Sequence, residues 1–351
     1  MGELRGRRVL DGALVVAGAV GAGLLLGGLG LPSPALFGGL LAGLVRALAR
    51  PTPIAVPLRA TTAAQAVVGV AMGALVDLGT LRAVAANWLA VLLVTLGTLA
   101  LSLGAGLVLR LQRGISRVTG AFAMIAGGAS GIIVMARELG ADERMVAVLQ
   151  YLRVLLIVVL MPVVATGLYG ATAGSGGGAD GGTSWPLGLA LTALCGIVGL
   201  VLGRLVRIPV AALLGPMLVA AGFELTGLGP EIEVPALLQS AAFLVIGLQV
   251  GISFTRESLR TIGRALPLAL AVIVGLIVAS AGLGAVLAAA TGASALDGYL
   301  ATTPGGLYAV LATATDSGAD ATFVLAVQVL RLFVMLLSAP LVARWLRRGL
   351  T

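Results

Sequence analysis

Histidine and lysine are absent from the 351 residues, and cysteine occurs once, as Cys195 inside an apolar run. Without these ligands the chain cannot assemble a haem site, structural zinc or most copper centres, and one thiol makes no intrachain disulfide. Only 14 residues are acidic, and none lies at the middle of an apolar run; Glu224 falls near the end of one, and Asp142, Asp297 and Asp320 fall at segment edges. Proton coupling through a deeply buried carboxylate therefore has no candidate in the sequence. A Walker loop, a nucleophile triad and a Rossmann fingerprint are also missing, so no residue set proposes a reaction. The chain reads as a non-enzyme without cofactor or metal.

What the chain has in excess is apolar surface. It is 59% hydrophobic and 10% charged, with a mean hydropathy of +1.13. A soluble domain of that composition would expose large apolar patches. Runs of membrane-spanning length recur, such as Trp88 to Leu109 and Arg264 to Ala290. The alternating ten-residue strands of a β-barrel are not visible. These features predict a polytopic α-helical membrane protein.

The net charge of +8 comes from arginine alone. On a soluble protein it would suggest nucleic acid. Here the arginines flank apolar runs, where the positive-inside rule and contact with anionic lipids account for them, and no nucleic-acid partner is expected. Arg5, Arg7 and Arg8 precede the first run, and no small-residue cleavage site follows it, so it reads as a retained helix and not a signal peptide.

The chain repeats itself. Gly120 to Pro162 matches Gly298 to Pro340 at an offset of 178. Both copies carry a short apolar run broken by Gly-Gly (Gly127-Gly128 and Gly305-Gly306), a Gly-Ala-Asp turn (140–142 and 318–320), and a long apolar helix with Gln-x-x-Arg (Gln150 and Arg153, Gln328 and Arg331). Upstream, Leu31 to Gly38 answers Ile208 to Gly215, and Val68 to Gly73 answers Ile246 to Gly251. The repeats span 1–169 and 185–351 and are joined by a Gly-rich linker, 170–184. Expected helical segments are 12–29, 34–49, 60–76, 88–109, 118–136 and 145–168, then 185–205, 210–228, 236–254, 265–290, 296–314 and 322–346.

Loop arginines decide the relative orientation of the halves. If all twelve segments cross, the halves are parallel. Twelve arginines (5, 7, 8, 46, 50, 59, 110, 113, 117, 344, 347, 348) then oppose eight (82, 137, 144, 204, 207, 256, 260, 264). If the fifth segment of each half enters and returns on one side, the halves are inverted and every loop arginine except Arg82 is cytoplasmic. The positive-inside rule selects the second arrangement, with both termini cytoplasmic. Segments of about 18 residues broken by Gly-Gly also suit two limbs and a turn better than one span. The expected architecture is about ten transmembrane helices plus two re-entrant hairpins in inverted repeats, the plan of secondary transporters.

Arg153 and Arg331 each lie roughly 12 Å along their helix at 1.5 Å per residue. A guanidinium at that depth must face the bundle interior. Two roles are open for it. With Gln150 and Gln328 one turn earlier it could fork around a carboxylate; alternatively it could brace carbonyls freed at a broken hairpin, or pair with Asp142 or Asp320. Glycine-rich breaks ahead of a short helix leave amides and a positive dipole end for an anion, which adds Gly127, Gly128, Gly305 and Gly306 to the candidates. Ser130, Thr302, Thr303 and Tyr308 are further candidates and could offer oxygens to Na+, although such hydroxyls commonly bond their own backbone.

Over nearly its full length the chain resembles the bacterial AbrB membrane-protein duplication family. The resemblance is carried by the Leu/Ile-Pro-x-x-x-Leu-x-Gly segments at 31–38 and 208–215, the Gly-Gly breaks and the paired Gln-x-x-Arg helices. Members are labelled ammonia monooxygenases or regulators of gene expression. Copper chemistry wants histidines, which are lacking here, and the soluble DNA-binding proteins of similar name are small swapped β-hairpin domains. The family is similar, at a distance, to the cation–proton antiporter and anion-transporter superfamily. That resemblance implies inverted repeats, broken helices and a homodimer moving by an elevator-type mechanism. The antiporters' mid-helix aspartate is missing, which speaks against cation/proton exchange. The expectation is a secondary transporter of a small anionic organic solute in a bacterial inner membrane, with Na+ or H+ as coupling ion. A membrane-embedded sensor that affects gene expression indirectly is the second reading.

Overall fold

Residues 2–50, 55–112, 114–126, 132, 136, 140–171, 185–208, 210–227, 229–253, 256, 260 and 263–348 are described by the computed structural model, and among them every regular element is helical. In chain order these are α1 (Gly2–Gly28), α2 (Pro34–Ala49), α3 (Leu58–Ala74), α4 (Leu78–Ala86), α5 (Trp88–Leu109), α6 (Arg117–Met124) and α7 (Glu143–Tyr169). The second half supplies α8 (Trp185–Leu205), α9 (Ala211–Thr226), α10 (Ala236–Ile252), α11 (Leu266–Thr291), α12 (Ala295–Thr302), α13 (Leu307–Asp316) and α14 (Ala321–Arg348). Of the expected Gly-rich linker, residues 172–184 lie outside the described residues.

Six of these helices are long and apolar enough to cross a membrane, and α3 with α4 makes a seventh if that pair, bent by 82°, is one span. The shorter apolar helices α2, α9 and α10 have 16 or 17 residues, or about 25 Å at 1.5 Å per residue, a little under the hydrocarbon thickness. The expectation of ten crossings thus turns on these three and α3. One difference from expectation stands out: residues 78–86 form the separate helix α4, which buries none of its side chains. The segments at 118–136 and 296–314, expected to be broken, are interrupted, α6 ending at Met124 and α12 at Thr302. Proline explains the second break. A helix would bond the Leu300 carbonyl to the amide of residue 304, and Pro304 has none.

Two compact units arise, and neither follows the halves of the chain. One comprises Met1–Leu78, Gly170–Thr255 and Leu311–Thr322; the other Gly79–Tyr169, Arg256–Val310 and Phe323–Thr351. In the first unit α2 packs on α10 and α3 on α9. A Cβ added to Gly69 would strike the Leu213 carbonyl, and one added to Gly247 would strike that of Leu36. Gly73 stands likewise to Met217, and Gly251 to Leu40. Each contact is the other with the halves exchanged. The second unit repeats the pattern. Gly106 on α5 meets Gly120 on α6, and Gly284 on α11 meets Gly298 on α12, with Cβ positions that would fall 2.6 Å and 2.5 Å from the facing carbonyl oxygens. Small residues let helix backbones approach where lipid supplies no hydrophobic drive.

Candidate functional site

The short helices α6 and α12 are started alike. Ser116 Oγ accepts the Thr119 amide at 3.1 Å, and Ser294 Oγ accepts the Asp297 amide at 3.0 Å, with Asp297 returning a bond to the Ser294 amide. Such caps satisfy amides that an eight-residue helix cannot satisfy itself. Where the first broken segment ends, the Asp142 amide donates to Thr119 Oγ1 at 3.1 Å, so the segment returns to the place where it began.

The other ends of α6 and α12 stop deep inside the second unit, and the long helices α7 and α14 terminate them. Gln150 Nε2 donates to the carbonyls of Phe122 (2.7 Å) and Ile125 (2.9 Å), and Arg153 Nη1 to that of Met124 (2.6 Å). Arg153 Nη2 donates to Gln150 Oε1 at 2.9 Å. In the second copy Gln328 Nε2 donates to Leu300 (2.7 Å) and Thr303 (3.3 Å), and Arg331 Nη1 to Thr302 (3.1 Å) and Thr303 (2.7 Å). Arg331 Nη2 completes the set with Gln328 Oε1 at 2.5 Å. All four side chains are at most 3% exposed. Gln and Arg three residues apart share a helix face, and their donors answer carbonyls that no helical amide can reach. The bracing role is therefore realised, through backbone carbonyls. Asp142 plays no part in it, because its Oδ1 accepts the amides of Arg144 and Met145.

Bracing does not exhaust the arginines. Among the described residues neither is in an ion pair, and both Nε atoms are buried without a hydrogen-bond partner. The two guanidiniums also act on one another electrostatically. Ser102 on α5 and Ser280 on α11, again 178 apart, have buried hydroxyls without partners. Nothing in their local sequence singles them out; only the duplication offset links them.

The remaining candidates divide. Thr302 Oγ1 donates to the carbonyls of Ser280 (2.8 Å) and Gly298 (2.9 Å), and Thr303 Oγ1 to that of Tyr299 (2.6 Å), so both hydroxyl protons serve the backbone. Gly305 and Gly306 form the break itself, facing Ile157 and Val154 on α7, and Tyr308 is half-buried in the first turn of α13. Gly127, Gly128 and Ser130 lie outside the described residues.

Long apolar helices, buried arginines and a helix broken inside a compact unit define a multi-pass helical membrane protein. The model of the family described as "Transition state regulatory protein AbrB" matches residues 12–347, and the chain belongs to that family. It is 34% identical over 320 residues to a protein of Escherichia coli (strain K12) named "Putative regulator AbrB", covering 90% of each chain. It is 26% identical over 292 residues to "Uncharacterized protein YhjN" of Bacillus subtilis (strain 168), covering 79% of this chain and 76% of that one. No solved structure matches it significantly.

Proposed function

We propose that the protein is a secondary transporter of a small anionic organic solute, working by alternating access between two inverted repeats in a bacterial inner membrane. The observation that carries this is a set of four buried polar atoms without partners at repeat-related positions, Nε of Arg153 and Arg331 and Oγ of Ser102 and Ser280. Buried polar groups are normally satisfied, so such orphans call for a ligand or water. Charge gives the ligand its sign. Two guanidiniums bring two positive charges, and the carbonyl ends of α6 and α12 offset about half a charge each. About one positive charge is left, which a monocarboxylate would compensate. The first-turn amides of Leu307 and Tyr308, with no helical acceptor, add donors of the same sense.

One observation favours the inverted arrangement: the Thr119–Asp142 bond fits a re-entrant first hairpin, since a crossing segment would hold its ends about 30 Å apart. With the arginine distribution, the proposed inverted arrangement has both termini in the cytoplasm.

The test is counterflow of labelled mono- and dicarboxylates in proteoliposomes, with Arg153→Gln and Arg331→Gln beside the wild type. Wild-type exchange of a monocarboxylate, reduced at least about tenfold in both variants, is the expected result. Exchange unaffected by both substitutions would overturn the reading. The name of the Escherichia coli relative favours a second reading, a membrane sensor. It requires ligand-dependent thermal stabilisation without flux.

A further inference from the structure

The second helix break leaves a row of amides unused. Gly305 donates to the Thr303 carbonyl at 2.8 Å, and Ala309 to that of Gly306 at 3.0 Å. The amides between them, of Gly306, Leu307 and Tyr308, donate to no group among the described residues. All three residues are half-buried. Their N–H groups open the ten-residue helix α13 and carry its positive dipole end.

A helix start by itself is served equally well by water. Arg331 is the independent sign of an anion. Its Nη1 donates at 2.7 Å to the same Thr303 carbonyl that takes the Gly305 amide, so the guanidinium lies against the turn leading into α13. The side chain is 3% exposed, and its Nε–H has no acceptor.

Gly306 stands at the head of this helix without a structural need for glycine. It holds no left-handed φ, the conformation that usually calls for one. A Cβ added to it would meet only Val154 Cγ1 at 3.5 Å, an ordinary contact, whereas one on Gly305 would fall 2.7 Å from Ile157 Cγ2. Packing therefore accounts for Gly305 and not for Gly306. Gly306 is the cap of α13, its carbonyl accepting the amides of Ala309 and Val310. Serine, asparagine or aspartate stabilises a helix better at that position, by placing an oxygen on the second or third amide. Glycine leaves those donors open.

We propose that the start of α13 receives the carboxylate of the solute, on the amides of Leu307 and Tyr308 beside Arg331, and that Gly306 stays bare to admit it. Gly306 is then a positioning residue, and the carboxylate supplies the oxygens that a capping side chain would otherwise bring. That the carboxylate belongs to a transported solute rests on the transporter reading above; the binding site itself does not.

The experiment is thermal unfolding of the full chain in detergent, in sodium acetate, propionate or lactate against sodium chloride at equal ionic strength. Counterflow of the same labelled anions in proteoliposomes runs beside it, for wild type, Gly306→Ser and Leu307→Pro. At least one of the three anions raises the wild-type midpoint saturably, by at least about 3 °C. Gly306→Ser unfolds no earlier than wild type in chloride, because serine is the better cap. It nevertheless needs at least about tenfold more of that anion for half its rise, because the new hydroxyl occupies a first-turn amide. Leu307→Pro deletes one amide that bonds nothing in the protein, at the helix position where proline is best tolerated, and shows the same weakening. A wild type that none of the three anions stabilises, or variants that respond as wild type does, overturns the site. A Gly306→Ser midpoint lowered in chloride with an unchanged half-saturating concentration assigns the glycine to packing and also overturns it. Stabilisation without counterflow keeps the site and refutes transport, whereas counterflow that survives both substitutions does the reverse.

Discussion

Replacing Gln328 by leucine tests whether Gln and Arg work as one unit at the helix break. Leu300 precedes Pro304 by four residues, so its carbonyl has no amide of its own helix, and Gln328 Nε2 takes that place at 2.7 Å. Leucine strands this carbonyl and also removes the acceptor of Arg331 Nη2. The Thr303 carbonyl keeps Arg331 Nη1. A stranded buried carbonyl costs about 1–3 kcal/mol and a charged donor at the upper end of that range, while the buried leucine returns about 1 kcal/mol. The net loss is about 3 kcal/mol, or roughly 5–10 °C in unfolding midpoint. Membrane proteins commonly unfold irreversibly, so midpoints are compared at one scan rate. Arg331→Met added to Gln328→Leu should cost at least about 1 kcal/mol less than it does alone, since the two share partners. A Gln328→Leu shift below about 2 °C, or strict additivity, refutes the brace.

The exchanged packing predicts that Gly69→Ala and Gly247→Ala destabilise by similar amounts, about 1–3 kcal/mol each, because each Cβ enters the same carbonyl contact seen from opposite halves; thermal unfolding of the two variants should give midpoints within a few degrees of each other, and one tolerated change beside one disruptive change breaks the equivalence. For topology, single cysteines placed at Arg144 and Arg204 in a Cys195→Ser background should react with an impermeant maleimide only in inside-out vesicles. Labelling of both from the outer face would restore the parallel arrangement.

Membrane helices were readable because a spanning run must be apolar throughout, and the expected bounds of 34–49, 88–109 and 185–205 coincide with α2, α5 and α8. Gln-x-x-Arg was readable because duplication wrote it twice. Its partners were not. Backbone carbonyls carry no sequence letter, and six of them, at Phe122, Met124, Ile125, Leu300, Thr302 and Thr303, are what the pairs bind. The caps Ser116 and Ser294 carried a usable signal, a serine three residues before Thr119 or Asp297. The hydrogen bond from the Ser33 amide to Asp316 had none, joining residues 283 apart, whereas the bend before α4 carried a signal in Asp77 and the flanking Gly73 and Gly79.

A brace needs donors and does not need charge. Gln328 already serves two carbonyls with one neutral amide, and a second glutamine at position 331 could serve two more. Arginine instead carries into the same place a charge whose burial costs several kcal/mol, and the duplication does so twice within one unit, where the two charges repel. Carbonyl dipoles offset part of that cost and bracing explains Nη1 and Nη2, but neither explains an Nε–H left without an acceptor. The charge and the spare donor are what a bound anion uses. Arg331→Gln therefore separates the two roles, because it keeps amide donors beside Thr302 and Thr303 and removes only the charge. A variant that stays folded but no longer exchanges the anion assigns the charge to the solute. Full exchange in that variant assigns it to the hairpin.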